Sequence, residues 1–86
     1  MAQIHLTIVT PEQSLMDGPA DRVLVRTVEG DVCILPGHID YAASLGVGTA
    51  RVTVDGETRE AEVSGGMICV TGNAVRILTN SFQWKN

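Results

Sequence analysis

The sequence predicts an all-β fold, an antiparallel sandwich of short strands forming one domain over residues 1–86. Three observations carry this reading. Apolar residues alternate with polar ones at period two over short runs, as in strands with one buried face. Turn-forming Gly, Pro, Asn and Asp residues separate those runs every few positions. Aromatics make up only 3% of a chain that is 44% hydrophobic, so the core must come from Val, Ile, Leu and Ala, and β-branched side chains pack well on a pleated surface.

Each strand has its own signal. Ile4, Leu6 and Ile8 alternate with His5 and Thr7, which gives a strand over Ile4–Val9. A short strand at Ser14–Asp17 ends on the turn signal Asp17-Gly18-Pro19. Strands at Asp21–Arg26 and Asp31–Leu35 flank the turn at Glu29-Gly30. Pro36-Gly37 breaks the chain, and the segment from His38 to Leu45 is read as irregular or strand-like, with a strand at Tyr41–Ser44. Turn residues at Gly46 to Gly48 precede a strand at Thr49–Val54. Asp55-Gly56 then lies between two alternating runs, the strongest short hairpin signal, and leads into Thr58–Val63. Met67–Thr71 and Ala74–Leu78 form a second hairpin around Gly72-Asn73. Many short strands joined by tight turns pack as two antiparallel sheets. The tail Ser81–Asn86 holds the only Phe and the only Trp. It either folds back over one end of the core or faces a partner, where Trp is enriched at hot spots.

Composition excludes several functions. The net charge is -4, which opposes a free-standing nucleic-acid-binding domain, since those carry a basic footprint. The scarcity of aromatics removes the stacking platforms of single-strand binders. No apolar run approaches the ~20 residues that cross a bilayer, and the N-terminus has no signal-peptide pattern. Membrane contact is expected only through partners. Cys33 and Cys69 lie in apolar runs and read as reduced, buried small hydrophobes.

No Cys-x-x-Cys, His-x-x-x-His or Gly-x-x-x-x-Gly-Lys pattern is present, so no catalytic residue, cofactor or metal is expected. Glu57, Arg59 and Glu60 beside the Asp55-Gly56 hairpin read as charges guarding a sheet edge. His38 sits in the loop Leu35-Pro36-Gly37-His38 with Asp40 nearby. It lacks the nucleophile–base spacing of a catalytic group and is read as a loop hydrogen bond or a partner contact. Glu29 and Asp31 flank Gly30 on one turn. They are either a solvated turn or an acidic pair that attracts a basic partner. Gly65-Gly66 precedes an apolar strand, which points to a bulge or a close backbone approach.

Four pieces stand in order along the chain. They are Ile8-Val9-Thr10-Pro11-Glu12; Glu29-Gly30-Asp31 leading to Pro36-Gly37-His38; Val63-Ser64-Gly65-Gly66-Met67; and Val75-Arg76-Ile77-Leu78-Thr79. Taken together the series resembles the N-terminal domain of the epsilon subunit of F-type ATP synthases, over nearly the whole chain. The resemblance implies a ten-stranded sandwich in the rotating central stalk. It implies a non-catalytic subunit that docks the gamma subunit to the membrane ring of c subunits and couples proton flow to ATP synthesis. Glu29, Asp31 and His38 are the expected contacts to the c-ring and gamma. The expected location is the cytoplasmic face of the bacterial inner membrane, held there peripherally by partner subunits. Family members typically continue into a helical hairpin. No such segment lies within these residues, so inhibition or ATP binding by a hairpin is not expected of them. The competing reading is a stand-alone ligand-binding sandwich, such as a sugar-binding module, which would show exposed aromatics.

Overall fold

A computed structural model of the chain describes residues 3–37 and 40–85. The period-two runs form ten strands: β1 (Ile4–Val9), β2 (Ser14–Ala20), β3 (Arg22–Thr27), β4 (Gly30–Ile34), β5 (Tyr41–Ser44), β6 (Val47–Val54), β7 (Glu57–Ser64), β8 (Met67–Thr71), β9 (Ala74–Leu78) and β10 (Phe82–Trp84). They make two five-stranded sheets. The first has the order β2-β1-β9-β8-β5 and the second β10-β7-β6-β3-β4. All ladders are antiparallel except β1 with β9, which run parallel. That exception follows from sequence distance, because β1 is joined to β9 by most of the chain rather than by a tight turn.

Alternation decides what is buried. Ile4, Leu6 and Ile8 of β1, Ile68 and Val70 of β8, and Val75 and Ile77 of β9 point inward from the first sheet. Val23 and Val25 of β3, Ile34 of β4, Ala50 and Val52 of β6, and Ala61 and Val63 of β7 meet them from the second. Each fully buried Ile or Val contributes about 1.5–3 kcal/mol, whereas an exposed ion pair contributes about 0–1 kcal/mol. The aliphatic core therefore dominates the stability, and the surface charges are free to serve contact.

Several expectations are corrected. The second strand does not stop at Asp17. It runs through Gly18 and Pro19, with Pro19 opposite His5. Proline is tolerated there because β2 is an edge strand that can spare an amide donor. The sixth strand begins at Val47, inside the expected turn. β10 pairs with β7 only through Phe82, Gln83 and Trp84, opposite Val63, Glu62 and Ala61, and Lys85 N reaches Glu60 O. The charge-guarded edge is therefore confined to residues 57–59, beside the hairpin. Cys33 is exposed rather than buried, because Val32 and Ile34 take the inward positions of β4. Cys69 is half-buried, and both thiols are free.

The aromatic tail folds back on the core. Phe82 and Trp84 are half-buried and packed against the core, with their rings edge to face at 5.0 Å. The Arg59 guanidinium lies over the Trp84 ring at 4.1 Å, a cation–π contact. At the Asp55-Gly56 hairpin both turn residues have positive φ, 51° and 81°, as a type I′ turn requires.

Candidate contact site

The ten strands leave two ends at which the chain reverses, and the predicted contact residues divide between them. At one end lies the β3–β4 turn, carrying Glu29 and Asp31. At the other lies the loop after β4 that begins Pro36-Gly37. β4 separates them by five residues, about 16 Å at 3.3 Å per residue. Glu29 and Asp31 therefore come together, and the loop of His38 does not join them. His38 itself lies outside the described residues.

The acidic turn is built from its neighbours. Thr27 is buried. Its hydroxyl donates to the Gly30 carbonyl at 2.7 Å and accepts the Glu29 amide at 3.1 Å, which fixes the reversal. Val28 donates its amide to Ser44 of the first sheet at 3.0 Å, so the turn is clamped across both sheets. Asp31 and Arg26 stand opposite each other on the outer face of β4 and β3. Arg26 Nε donates to Asp31 Oδ1 at 2.6 Å. That hydrogen bond and the nearby carboxylate charge raise the guanidinium's already high pKa.

Arg26 is held in turn by a glycine. A Cβ on Gly48 would stand 2.8 Å from Arg26 Cβ and 3.0 Å from Cγ. The stem of Arg26 thus occupies the space a side chain would need, lying along the β6 backbone. The sequence carried this signal in the Gly46-Val47-Gly48 run, but a run of turn residues does not reveal which side chain fills the gap.

The two acids are consequently unequal. Asp31 is paired with Arg26, while Glu29 makes no ion pair among the described residues. Around Glu29 the surface is apolar. Val28 is 68% exposed and Val47 76% exposed. The end therefore presents one free carboxylate amid exposed valines, a combination suited to a partner that is both apolar and basic.

The far end is held differently. Asn73 Oδ1 accepts the Gly37 amide at 2.9 Å, and Asp40 Oδ1 accepts the Gly72 amide at 3.0 Å. These bonds pin the loop after β4 to the β8–β9 turn.

The outer faces also differ. That of the second sheet carries cross-strand ion pairs Arg51–Glu60 and Lys85–Glu62 as well as Arg26–Asp31. A depression of about 750 Å³ on it is lined by Arg22, Leu24, Cys33, Arg51 and Thr53, among others. The outer face of the first sheet carries the His5–Asp17 pair and Arg76 toward one end and an apolar patch toward the other. There Val9, Leu78 and Met67 follow one another across β1, β9 and β8, and Met67 and Leu78 are exposed. Among the described residues no three His, Cys, Asp or Glu side chains gather as metal ligands. The three aromatics are all half-buried, which leaves no exposed platform of the kind a sugar-binding module uses.

Comparison with known proteins agrees with this architecture. The family model for the β-sandwich domain of the ATP synthase delta/epsilon chain matches residues 3–85. The ATP synthase epsilon chain of Alkalihalophilus pseudofirmus is 41% identical over 83 residues, covering 96% of this chain and 62% of that relative. That of Frankia casuarinae is 43% identical over 79 residues, covering 91% of this chain and 93% of the relative. The chain thus spans about three fifths of the first of these and nearly all of the second. A cryo-EM structure of the Euglena gracilis mitochondrial ATP synthase, comprising OSCP, F1 and c-ring, contains a chain that superposes with a TM-score of 0.92 at 28% identity. The match covers 98% of this chain and 54% of that one. A central stalk and c-ring structure from Tetrahymena thermophila shares the fold at a TM-score of 0.80 and 17% identity, over 92% of this chain and 64% of that one. The chain belongs to the ATP synthase delta/epsilon chain family, of which it is the β-sandwich domain.

Proposed function

We propose that this chain is a non-catalytic rotor subunit of an F-type, proton-translocating ATP synthase, docking the gamma subunit to the c-ring so that ion flow is coupled to ATP synthesis. The observation that carries the reading is the family match over residues 3–85. The same fold occurs in a solved assembly that contains F1 and the c-ring. A sandwich of ten cross-braced strands suits the role, because a part that passes torque must not deform under it. The acidic turn is the ring-facing element. Glu29 supplies the free charge, Asp31 is held by Arg26 at 2.6 Å, and Val28 and Val47 supply apolar contact. The apolar patch on the outer face of the first sheet, with Val9, Met67 and Leu78, supplies the packing surface for gamma. His38 is the contact expected at the other end. On this reading the chain belongs to a membrane-associated complex at the cytoplasmic face of the bacterial inner membrane, and it reaches the bilayer only through partner subunits.

The test is a charge reversal at Glu29. Because Asp31 is tied to Arg26, reversing it also places two cations side by side. Glu29→Lys changes the turn's free charge alone. In a reconstituted complex, Glu29→Lys lowers retention of the c-ring about tenfold, the scale of one desolvated charge contact, while leaving the thermal unfolding of the isolated chain unchanged. Full ring retention and full proton-driven ATP synthesis in this variant would remove Glu29 from the contact.

A further inference from the structure

The surfaces given to the ring and to gamma leave the outer face of the second sheet unused, and the chain's cations collect there. Arg22, Arg51, Arg59 and Lys85, four of its six Lys and Arg residues, line the depression of about 750 Å³ on that face. Only one carboxylate, Glu60, lines it with them. The whole chain carries -4, so this cationic depression runs against the overall balance. A concave surface lined by one sign of charge focuses its field on a ligand of the opposite sign.

The lining keeps donors to spare. Arg22 makes no ion pair among the described residues. Arg51 gives its Nε to Glu60 at 3.0 Å, which leaves the terminal amino groups of its fork. The Arg59 guanidinium lies over the Trp84 ring at 4.1 Å, a contact that engages its face rather than its N–H edges. Hydroxyls form the floor. Thr53 stands opposite Arg22 on β6 and is only 3% exposed. Its Oγ1 lies 2.8 Å from Thr58 Oγ1. The two hydroxyls hold two protons and use one between them, so one remains for an acceptor placed in the depression.

We propose that this depression binds an inorganic diphosphate. Guanidinium forks match phosphate oxygens in pairs, and a hydroxyl donates to an oxygen left over. The cations come from β3, β6, β7 and the residue after β10, which are successive neighbours in the sheet. That spread covers about 14 Å at 4.8 Å per strand, too wide for one carboxylate, whereas a diphosphate presents oxygens at both ends. No aromatic ring lines the depression to stack a base, so the ligand is read by its phosphates alone. The site shares no residue with the ring or gamma surfaces and does not rest on the stalk role.

Titration of the full chain with sodium pyrophosphate, followed by amide NMR shifts, tests it. The solution holds about 0.1 M NaCl, which screens charges beyond about 10 Å. Saturating shifts are expected around residues 22, 51, 53 and 58, with a Kd of about 1 mM or below. Sulfate is expected to bind at least about tenfold more weakly, the scale of one charged hydrogen bond. Arg22→Gln is expected to cost pyrophosphate a similar factor with unchanged thermal unfolding. Arg76→Gln removes the same charge from the other sheet's outer face and is expected to change the affinity less than about twofold. Absence of saturable shifts, sulfate binding as tightly as pyrophosphate, or equal effects of the two variants overturns the site. ADP binding at least about tenfold tighter than pyrophosphate also overturns it, because a base contact would then carry the affinity.

Discussion

The two ends of the sandwich are fastened by different chemistry. At the acidic-turn end, the chain passes between the sheets three times, and each crossing is locked by main-chain bonds. Leu45 donates to Gly66, Gly46 to Arg26, Val28 to Ser44 and Ser64 to Ser81. A buried hydroxyl completes the knot: Thr79 Oγ1 donates to Gly65 O at 2.8 Å and accepts the Ser81 amide at 3.2 Å. At the opposite end two main-chain bonds, Asp21 to Thr53 and His5 to Asn73, both at 2.7 Å, are joined by exposed side chains. Asn73 holds Gly37, Asp40 holds Gly72, and Asp21 holds the Gly56 amide at 2.9 Å. Main-chain bonds and buried hydroxyls resist solvent, whereas exposed side-chain bonds are weaker and open to competition by water. The contrast is one of degree: the end that carries Glu29 is the stiffer, and the end that carries the Pro36-Gly37 loop, with more of its bonds on exposed side chains, is the more adaptable. On the proposed stalk role, a ring contact that transmits force would sit at the stiffer end.

The largest expected effect breaks the rigid end. Gly66 has φ 111°, and a Cβ placed on it would stand 2.2 Å from the Leu78 carbonyl oxygen and 2.8 Å from Thr79 Cα. Both are backbone atoms that cannot swing away. Gly66→Ala therefore costs about 3 kcal/mol or more, from backbone strain and the clash together. Urea unfolding of the variant should show a lower midpoint with an unchanged slope. A cost under about 1 kcal/mol would mean the knot is looser than its geometry.

Much of this was legible in sequence, and the exceptions have physical causes. β1, β5, β8 and β9 begin and end where alternation and turn residues put them. Gly65-Gly66 announced a close backbone approach; that the approach is to the neighbouring strand at Leu78–Thr79 depended on tertiary pairing. Pro19 looked like a stop signal because its tolerance depends on β2 being an edge, a fact of sheet order that no local window contains. β10 is too short for a period to show. At the candidate site, Glu29 and Asp31 were legible as an acidic turn. Their inequality was not, because the Arg26 partner comes from the facing strand and is steered there by Gly48. The separation of the turn from the Pro36-Gly37 loop followed from β4 running straight between them.

A smaller effect sharpens the comparison at the same end. Thr79→Val keeps the shape but removes the hydroxyl from a buried site, leaving the Gly65 carbonyl and the Ser81 amide short of a partner. The expected cost is about 1–3 kcal/mol, read as a fall in melting temperature of about 5 °C or more for a domain this size.

The smallest effect belongs to the other end and appears only with pH. The Gly56 amide, and then the Gln3 side chain at 3.2 Å, hold the Asp21 carboxyl below its ordinary value of 3.8. A lowered folded pKa contributes stability that is present above the unfolded value and is lost as pH falls through the folded one. Melting temperature should therefore drop below about pH 4 with a contribution that Asp21→Asn removes. Identical acid-side profiles for the two proteins would show that Asp21 contributes nothing, and the side-chain fastening of that end would rest on Asn73 and Asp40.

The most direct measurement of the account asks which end meets the ring. In a Cys33→Ser, Cys69→Ser background, a single cysteine is placed either at Glu29 or at Asn73, and oxidative cross-linking is run in the assembled complex against a cysteine in the exposed loop of the c subunit. A cross-linked product is expected from position 29 and none from position 73. Cross-linking from position 73 with none from position 29 would contradict it, because the adaptable end would then be the one carried on the ring.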